Sequence, residues 1–132
     1  MCISVYAPLL DDGTGPFPTI ETIVNHIDHA VSVIGIDHVG IGTDSPVMDD
    51  TNWLMYTLQH RDAIPSRFFK EPYYGKWQYH RAAGFRTVAD LPKITEALIK
   101  RGYSDHDILR ILGTNRLRIY EQVWGKYHYV KA

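Results

Sequence analysis

Asp44 is the residue whose position most clearly suggests chemistry. It directly follows the apolar run from Ile36 to Thr43, which is too short for a helix and rich enough in Val and Ile to predict a strand buried on both faces. In α/β proteins, a carboxylate at the carboxyl end of such a strand points into the mouth where substrates react. Asp44 is therefore a candidate functional residue, although it also suits a purely local role as the cap of the turn into Ser45 and Pro46.

The seven histidines offer a second chemistry, metal binding. His26, Asp28 and His29 form a His-x-Asp-His sequence that looks like a ligand motif, but it falls in the middle of a predicted helix, beside the apolar stripe of that helix. Two histidines three residues apart could still share a zinc ion on a surface or between chains. His38 begins the predicted strand at its amino end, which in a barrel is the end that serves stability. We therefore predict no metal ligand in this chain.

Other catalytic motifs are incomplete. Gly40-Ile41-Gly42 lacks the third glycine of a dinucleotide-binding loop, and Cys2 has no evident activating partner. The basic and aromatic segment from 61 to 86 would suit stacking on single-stranded nucleic acid, but such loops more often pack over a core or at a subunit interface. Nucleic acid is therefore not the favoured partner.

Composition narrows the classes of function further. The 132 residues suit one domain, and 14 basic against 15 acidic side chains give a formal net charge of -1. A net charge this close to zero does not attract nucleic acid or an anionic membrane over a long range. The single cysteine excludes an intrachain disulfide, and no apolar run approaches the ~18 residues of a membrane span. We predict a cytoplasmic protein with no membrane partner.

The first third of the chain reads as a β-α-β unit. Residues 2–7 alternate and predict a first strand, and 11–18 are dense in turn residues. Thr19 suits the N-cap of an amphipathic helix that Gly35 ends. Since the run before Asp44 follows directly, two parallel strands with a right-handed crossover are expected. The apolar face of this helix is predicted from spacings of three and four at Ile20, Ile23, Val24, Ile27, Val31 and Ile34.

Helices are also predicted in the last third of the chain. The first begins at Asp90 and ends before Gly102, the second begins at Ser104 and ends at Gly113, and Thr114 caps the final helix. The final helix presents Leu117, Ile119, Tyr120 and Val123.

The chain resembles the membrane (renal) dipeptidase family of the amidohydrolase superfamily. The resemblance is carried by residues 26–29 and 35–44, and it resumes at 98–104 and 111–120. The family fold is a (β/α)8 barrel, and these pieces match its end, from the seventh strand to the closing helices.

The resemblance implies an α/β fold class. The expected architecture is a partial (β/α)8-barrel-like unit, β-α-β-α plus C-terminal helices, that oligomerisation completes. We expect one domain over residues 1–132, resembling the last two β/α units of a dipeptidase barrel, with an aromatic-rich insertion at about 45–86.

The resemblance also assigns a role to Asp44. It takes the place of the family's carboxylate at the end of strand eight, which faces the bound dipeptide near the two zinc ions, so it is the predicted catalytic and substrate-binding residue. The family's usual Phe-Asp-Gly after it is replaced by Ser45-Pro46-Val47, which alters the mouth. The family's metal ligands lie on earlier strands and would precede Met1, so no cofactor is expected in this chain alone.

Two functions follow as expectations. The chain is a fragment or descendant of a zinc-dependent dipeptidase that hydrolyses short peptides, inactive when isolated because the metal ligands are absent. The alternative is a non-enzymatic oligomeric module for binding or interaction.

The truncation itself predicts assembly. Two parallel strands leave two open edges, and such a piece is at best marginal alone in water. It could pair with copies of itself, recruit another polypeptide, or fold residues 61–86 back as extra strands. We favour a homo-oligomer, with Trp77, Tyr73 and Tyr74 as interface residues.

Overall fold

A small parallel sheet with helices packed against it forms the centre of the protein. The computed structural model describes residues 1–12, 15–44 and 81–125. In chain order the elements are β1 (Cys2–Ser4), α1 (Ala7–Leu10), α2 (Ile20–Ile34), a 3-10 turn (Ile36–His38), β2 (Gly40–Gly42), a second 3-10 turn (Val88–Asp90), α3 (Leu91–Arg101), α4 (Asp105–Leu109), a π-helical turn (Arg110–Thr114) and α5 (Asn115–Trp124). The expected mixed α/β class is confirmed.

The two strands pair in parallel, as the β-α-β pattern predicts. Ile3 lies opposite Ile41, and the flanking pairs keep the same register. Both strands are shorter than predicted. Pro8 lies in the first turn of α1, where it needs no amide partner, so the chain leaves the strand direction after β1. The predicted second strand is shortened because its first residues form the 3-10 turn that follows Gly35.

The crossover helix α2 forms as its sequence predicts. Thr19 and Thr22 form a reciprocal capping box, in which each side chain accepts the backbone N–H of the other. Gly35 ends the helix with a φ of 81°, a conformation that favours glycine. The predicted core position of Ile34 is wrong, since this residue is 37% exposed and the last turn lies beyond the core.

The core gathers the apolar faces of α2 and α3 over the sheet. The fully buried side chains include Val5, Ile23, Val24, Ile27, Val39, Phe85, Ile94, Leu98 and Ile111. They form one cluster, so sheet and helices share a single apolar interior within the described residues.

The boundaries of α3 are correct, but the role of Asp90 differs from the prediction. The Asp90 side chain makes no capping bond to α3 and instead accepts the backbone N–H groups of Arg86 and Thr87, at 2.7 and 3.1 Å. It therefore stabilises the preceding 3-10 turn. Gly102 ends α3 in the left-handed region, with a φ of 93°.

The predicted helix stop at Gly113 and cap at Thr114 are both wrong. The backbone stays helical through a π turn into α5, and Thr114 makes no capping bond. The wider turn directs Asn115 inward, where its amide nitrogen donates to the carbonyl oxygens of Ile36 and Val39 at 2.7 and 2.9 Å. These two bonds tie α5 to the segment that leads into β2, which compensates for the irregular turn.

Helix α5 leaves its apolar residues exposed. Tyr120 and Trp124 stack on each other with ring centroids 4.5 Å apart, yet Trp124 is 66% exposed. The exposed apolar face of α5 consists of Leu117, Ile119, Tyr120, Val123 and Trp124.

Part of the segment predicted to form extra strands folds back onto the strand end. Arg81 pairs antiparallel with Tyr6, and Ala83 pairs parallel with Thr19, each as an isolated bridge. The predicted interface residues Trp77, Tyr73 and Tyr74, and the insertion at 45–80, lie outside the described residues.

Among the described residues, no helix has both the length and the apolar composition that crossing a bilayer requires. The cytoplasmic location stays a prediction.

The contrast between Gly113 and Gly102 gives a direct test of the continuous helix. Gly113→Ala should raise the free energy of unfolding by roughly 0.5 to 1 kcal/mol, because a helical glycine without nearby atoms gains from a Cβ. Gly102→Ala should lower it by about 1 kcal/mol, because the left-handed conformation opposes a Cβ. Urea denaturation of both variants measures this. A loss of stability in Gly113→Ala would restore the helix stop predicted from the sequence.

Candidate functional site

The candidate site lies at the carboxyl ends of the two strands. Tyr6 follows β1 by two residues, and Asp44 follows β2 by two residues. Arg81 reaches the same end from a distant part of the chain, because its backbone pairs with Tyr6 and its Nη1 donates to the Thr43 carbonyl oxygen at 3.3 Å. Parallel pairing thus brings three polar side chains from separate segments to one end of the sheet.

Asp44 is exposed at this end, as its position after the strand predicts. Its backbone has a φ of 44°, in the left-handed region that Asp tolerates better than most residues. Such a conformation costs of order 1 kcal/mol and is common at sites where the chain must aim a side chain. The turn residues Ser45 and Pro46 lie outside the described residues.

Arg81 is a buried cation beside this carboxylate. It is 3% exposed, and burial lowers the pKa of its guanidinium, whereas the charges of Asp44 and Tyr6 act in the opposite direction. Because arginine keeps its proton in proteins, the group is a fixed positive charge at neutral pH. Its attraction for Asp44 is stronger than in bulk water, since the guanidinium lies in a medium of lower dielectric constant.

Tyr6 completes the group as a neutral hydroxyl. Burial raises the pKa of its phenol above the usual value, the negative charge of Asp44 raises it further, and Arg81 lowers it. The phenol therefore stays protonated at physiological pH. The group combines a carboxylate, a buried guanidinium and a phenol, which suits a ligand carrying both a positive and a negative charge.

Sequence reasoning missed Arg81 and Tyr6 as site residues. Arg81 counted only among the basic residues of the segment 61–86, and Tyr6 only as part of the first strand. Their proximity depends on a pairing between residues 75 positions apart, so no local spacing signals it.

The histidine motif on α2 does not assemble a metal site. His29 is exposed, and His26 is half-buried with its Nε2 3.3 Å from the Leu10 carbonyl oxygen. Both histidines line a cavity of about 430 Å³. Across the described ranges, no three His, Cys, Asp or Glu side chains are placed to hold an ion. These residues do not fit the zinc that the family resemblance implies, and we derive no metal-dependent step from them.

Asp28 of the same motif has a structural role. It pairs with Arg101 and accepts the Tyr103 hydroxyl at 2.7 Å. Arg101 also pairs with Glu21 and donates to the Asn25 side chain at 2.9 Å. Since Glu21, Asn25 and Asp28 lie on α2 and Arg101 ends α3, the cluster ties the two helices together across their solvated edge.

The glycines of Gly40-Ile41-Gly42 form β2 and not a phosphate-binding loop. A Cβ at Gly42 would lie 3.2 Å from the Cys2 Cβ, which is tighter than an ordinary contact. Glycine here lets β1 approach closely, so its role is in packing. Cys2 is an exposed free thiol.

Comparisons with known proteins agree with this fold. Residues 3–62 match the family model described as membrane dipeptidase, peptidase family M19. The chain is 30% identical over 106 residues to dipeptidase verJ of Clonostachys rogersoniana, covering 80% of this chain and 20% of that protein. It is 25% identical over 118 residues to dipeptidase tcpJ of Claviceps purpurea, covering 89% and 21%.

A crystal structure of an amidohydrolase from Pseudomonas aeruginosa matches the fold with a TM-score of 0.70 and 29% identity. The match covers 95% of this chain and 36% of that one. These matches support the predicted resemblance to part of the membrane dipeptidase family within the amidohydrolase superfamily. It spans about one fifth of the length of the curated relatives it matches.

The Asp28 contacts predict how the His-x-Asp motif responds to mutation. Asp28→Asn should lower the melting temperature, because it removes the charge that holds Arg101, while zinc binding measured by calorimetry should not change. His29→Asn is the matched control and should alter neither quantity, since its side chain is exposed. A variant that keeps its melting temperature but loses bound zinc would contradict the structural role.

Proposed function

We propose that the chain is part of a dipeptidase-like hydrolase, in which it forms a segment of a (β/α)8 barrel and one side of the substrate pocket. The proposal is supported by the family match, by the parallel β-α-β order and by the polar group at the carboxyl ends of the strands. In barrels of this kind, substrates react at that end of the strands.

The observation that carries the proposal is the position of exposed Asp44 after β2, within electrostatic reach of buried Arg81, whose Nη1 donates to the carbonyl of the preceding residue, Thr43. A short peptide is a zwitterion, and its ammonium group needs an anionic acceptor that water can reach. Asp44 meets that need, and it can also shuttle a proton to the leaving amine. We assign it both the substrate-binding and the catalytic role.

Arg81 acts in this proposal as a positioning residue. Its Nη1 donates to the carbonyl oxygen of Thr43, the residue directly before Asp44. This bond, together with the buried charge, holds the strained turn that presents the carboxylate. Arg81→Lys keeps the charge but cannot reproduce the planar donor geometry, so it should shift Asp44 without removing it.

The metal that hydrolysis requires in this family would be held by residues outside the described ranges or by another polypeptide. When bound, zinc would activate water and polarise the scissile carbonyl. We expect the isolated chain to bind a dipeptide without turning it over.

Dipeptide binding tests the role of Asp44. Titration of the chain with glycyl-leucine, followed by NMR of the backbone amides, should show saturable shifts around Asp44. Asp44→Asn should weaken binding about tenfold or more, because one charge-assisted contact is lost. Asp105→Asn, which removes an exposed carboxylate from the first turn of α4, is the control and should bind as the wild type does. Equal affinity in Asp44→Asn and wild type would overturn the assignment.

The second candidate function is a non-enzymatic oligomeric module. Its support is the exposed apolar face of α5, where the most exposed side chains are Val123 and Trp124, at 69% and 66%. A contiguous apolar face on a helix end is typical of an interaction surface. In this proposal a second copy of the chain covers that face, and the open edges of the two-stranded sheet gain further partners.

Light scattering coupled to gel filtration tests the assembly. The wild-type chain should be oligomeric at micromolar concentration, and Leu117→Glu should shift it to the monomer, because a charge would be buried in the interface. Ile99→Glu is matched in exposure, 56% against 58% for Leu117, but lies on α3, so it should leave the oligomer intact. A wild-type monomer with a cooperative melt would contradict the proposal.

A further inference from the structure

A cavity of about 200 Å³ lies at the amino ends of the strands, opposite the candidate site. It is bounded by Cys2 of β1, by the 3-10 turn before β2, and by the π turn and the first residues of α5. By the same measure a single water needs about 10 to 15 Å³, so the space accommodates a small polyatomic ligand.

Positive charge predominates in the wall of this cavity. Arg110, Arg116 and Arg118 all line it, against one carboxylate, that of Asp37. Arg110 already pairs with Asp37 at 3.1 Å, and at 3.8 Å with Asp107 outside the cavity. Arg110 therefore neutralises Asp37, the carboxylate in the wall of the cavity.

The other two arginines are held by carbonyl oxygens. Arg118 Nη2 donates to the Asp37 carbonyl at 2.8 Å, and Arg116 Nη2 donates to the Ile41 carbonyl and lies 3.5 Å from the Cys2 sulfur. Within residues 1–12, 15–44 and 81–125, neither forms an ion pair with a carboxylate. A carbonyl fixes the position of a guanidinium but does not neutralise it, and each guanidinium has five N–H donors.

We propose that this cavity binds a tetrahedral oxyanion, either free phosphate or the phosphate group of a small ester. Since Arg116 and Arg118 have no carboxylate partner among the described residues, a phosphate, with about two negative charges, fits the cavity better than a singly charged carboxylate. All three arginines line one wall of the cavity because the π turn continues into α5 without a break. The site is independent of the dipeptide pocket, which lies at the opposite ends of the strands.

Calorimetric titration at constant ionic strength tests the site. Inorganic phosphate should bind saturably to the wild-type chain, whereas acetate at the same concentration should not. Arg118→Gln should weaken phosphate binding about tenfold or more, since a charge-assisted contact disappears. Arg86→Gln removes an exposed arginine outside the cavity and should bind phosphate as the wild type does. Glycerol phosphate in place of phosphate distinguishes the ester from the free ion, and binding of either supports the site.

The thiol of Cys2 gives a second measurement that needs no variant. Because Cys2 lines the cavity and is the chain's single cysteine, bound phosphate should slow its alkylation by iodoacetamide. Absence of saturable phosphate binding, equal binding in Arg118→Gln, or binding of acetate as tight as that of phosphate would each overturn the proposal.

Discussion

The parallel pairing of β1 and β2 is the constraint on which the rest of the structure depends. Parallel neighbours cannot be joined by a tight turn, so the chain between them must cross the sheet, and α2 is that crossing. Each strand has only three residues, and so few ladder bonds cannot hold a sheet alone. The stabilisation comes instead from the apolar face that α2 and α3 pack against the strands.

The same pairing determines where chemistry can occur. Tyr6 and Asp44 leave the sheet at one end because their strands run in the same direction, and Arg81 is drawn there by its bridge to Tyr6. At the other end, Cys2 and the turn before β2 face the arginines of the π turn and α5. The Asn115 amide links α5 to the turn before β2. It donates to the carbonyls of Ile36 and Val39, and its own helix carries Arg116 and Arg118.

Local chemistry in the sequence predicted much of the helical structure. The Thr19 cap, the glycine ends at Gly35 and Gly102, and the Ser104 cap all depend on residues within one turn of each other, and all are confirmed. The position of Asp44 at the end of the sheet was also predictable from local sequence, because this residue closely follows its strand. Strand lengths were overestimated because apolar content alone does not separate a strand from the 3-10 turn beside it.

The failures share a long-range cause. Gly113 and Thr114 read locally as a helix end, but the Asn115 bonds to carbonyls 79 and 76 residues away keep the helix continuous. Arg81 owes its position to an isolated backbone bridge with Tyr6, 75 residues away in the chain. The exposed face of α5 looks amphipathic in sequence, yet within the described residues nothing covers Leu117 or Val123. Periodicity predicts that a face is apolar, but not which surface covers it.

Disulfide formation gives the most direct measurement of the strand register. A Cβ at Gly42 would lie 3.2 Å from that of Cys2, a few tenths of an ångström short of the usual spacing in a disulfide. Gly42→Cys should therefore form an intramolecular disulfide with Cys2 under mild oxidation, detected by mass spectrometry, whereas Gly15→Cys, which has no atom nearby, should not. If Gly42→Cys stays reduced, or if both variants crosslink equally, the strands do not pair in this parallel register.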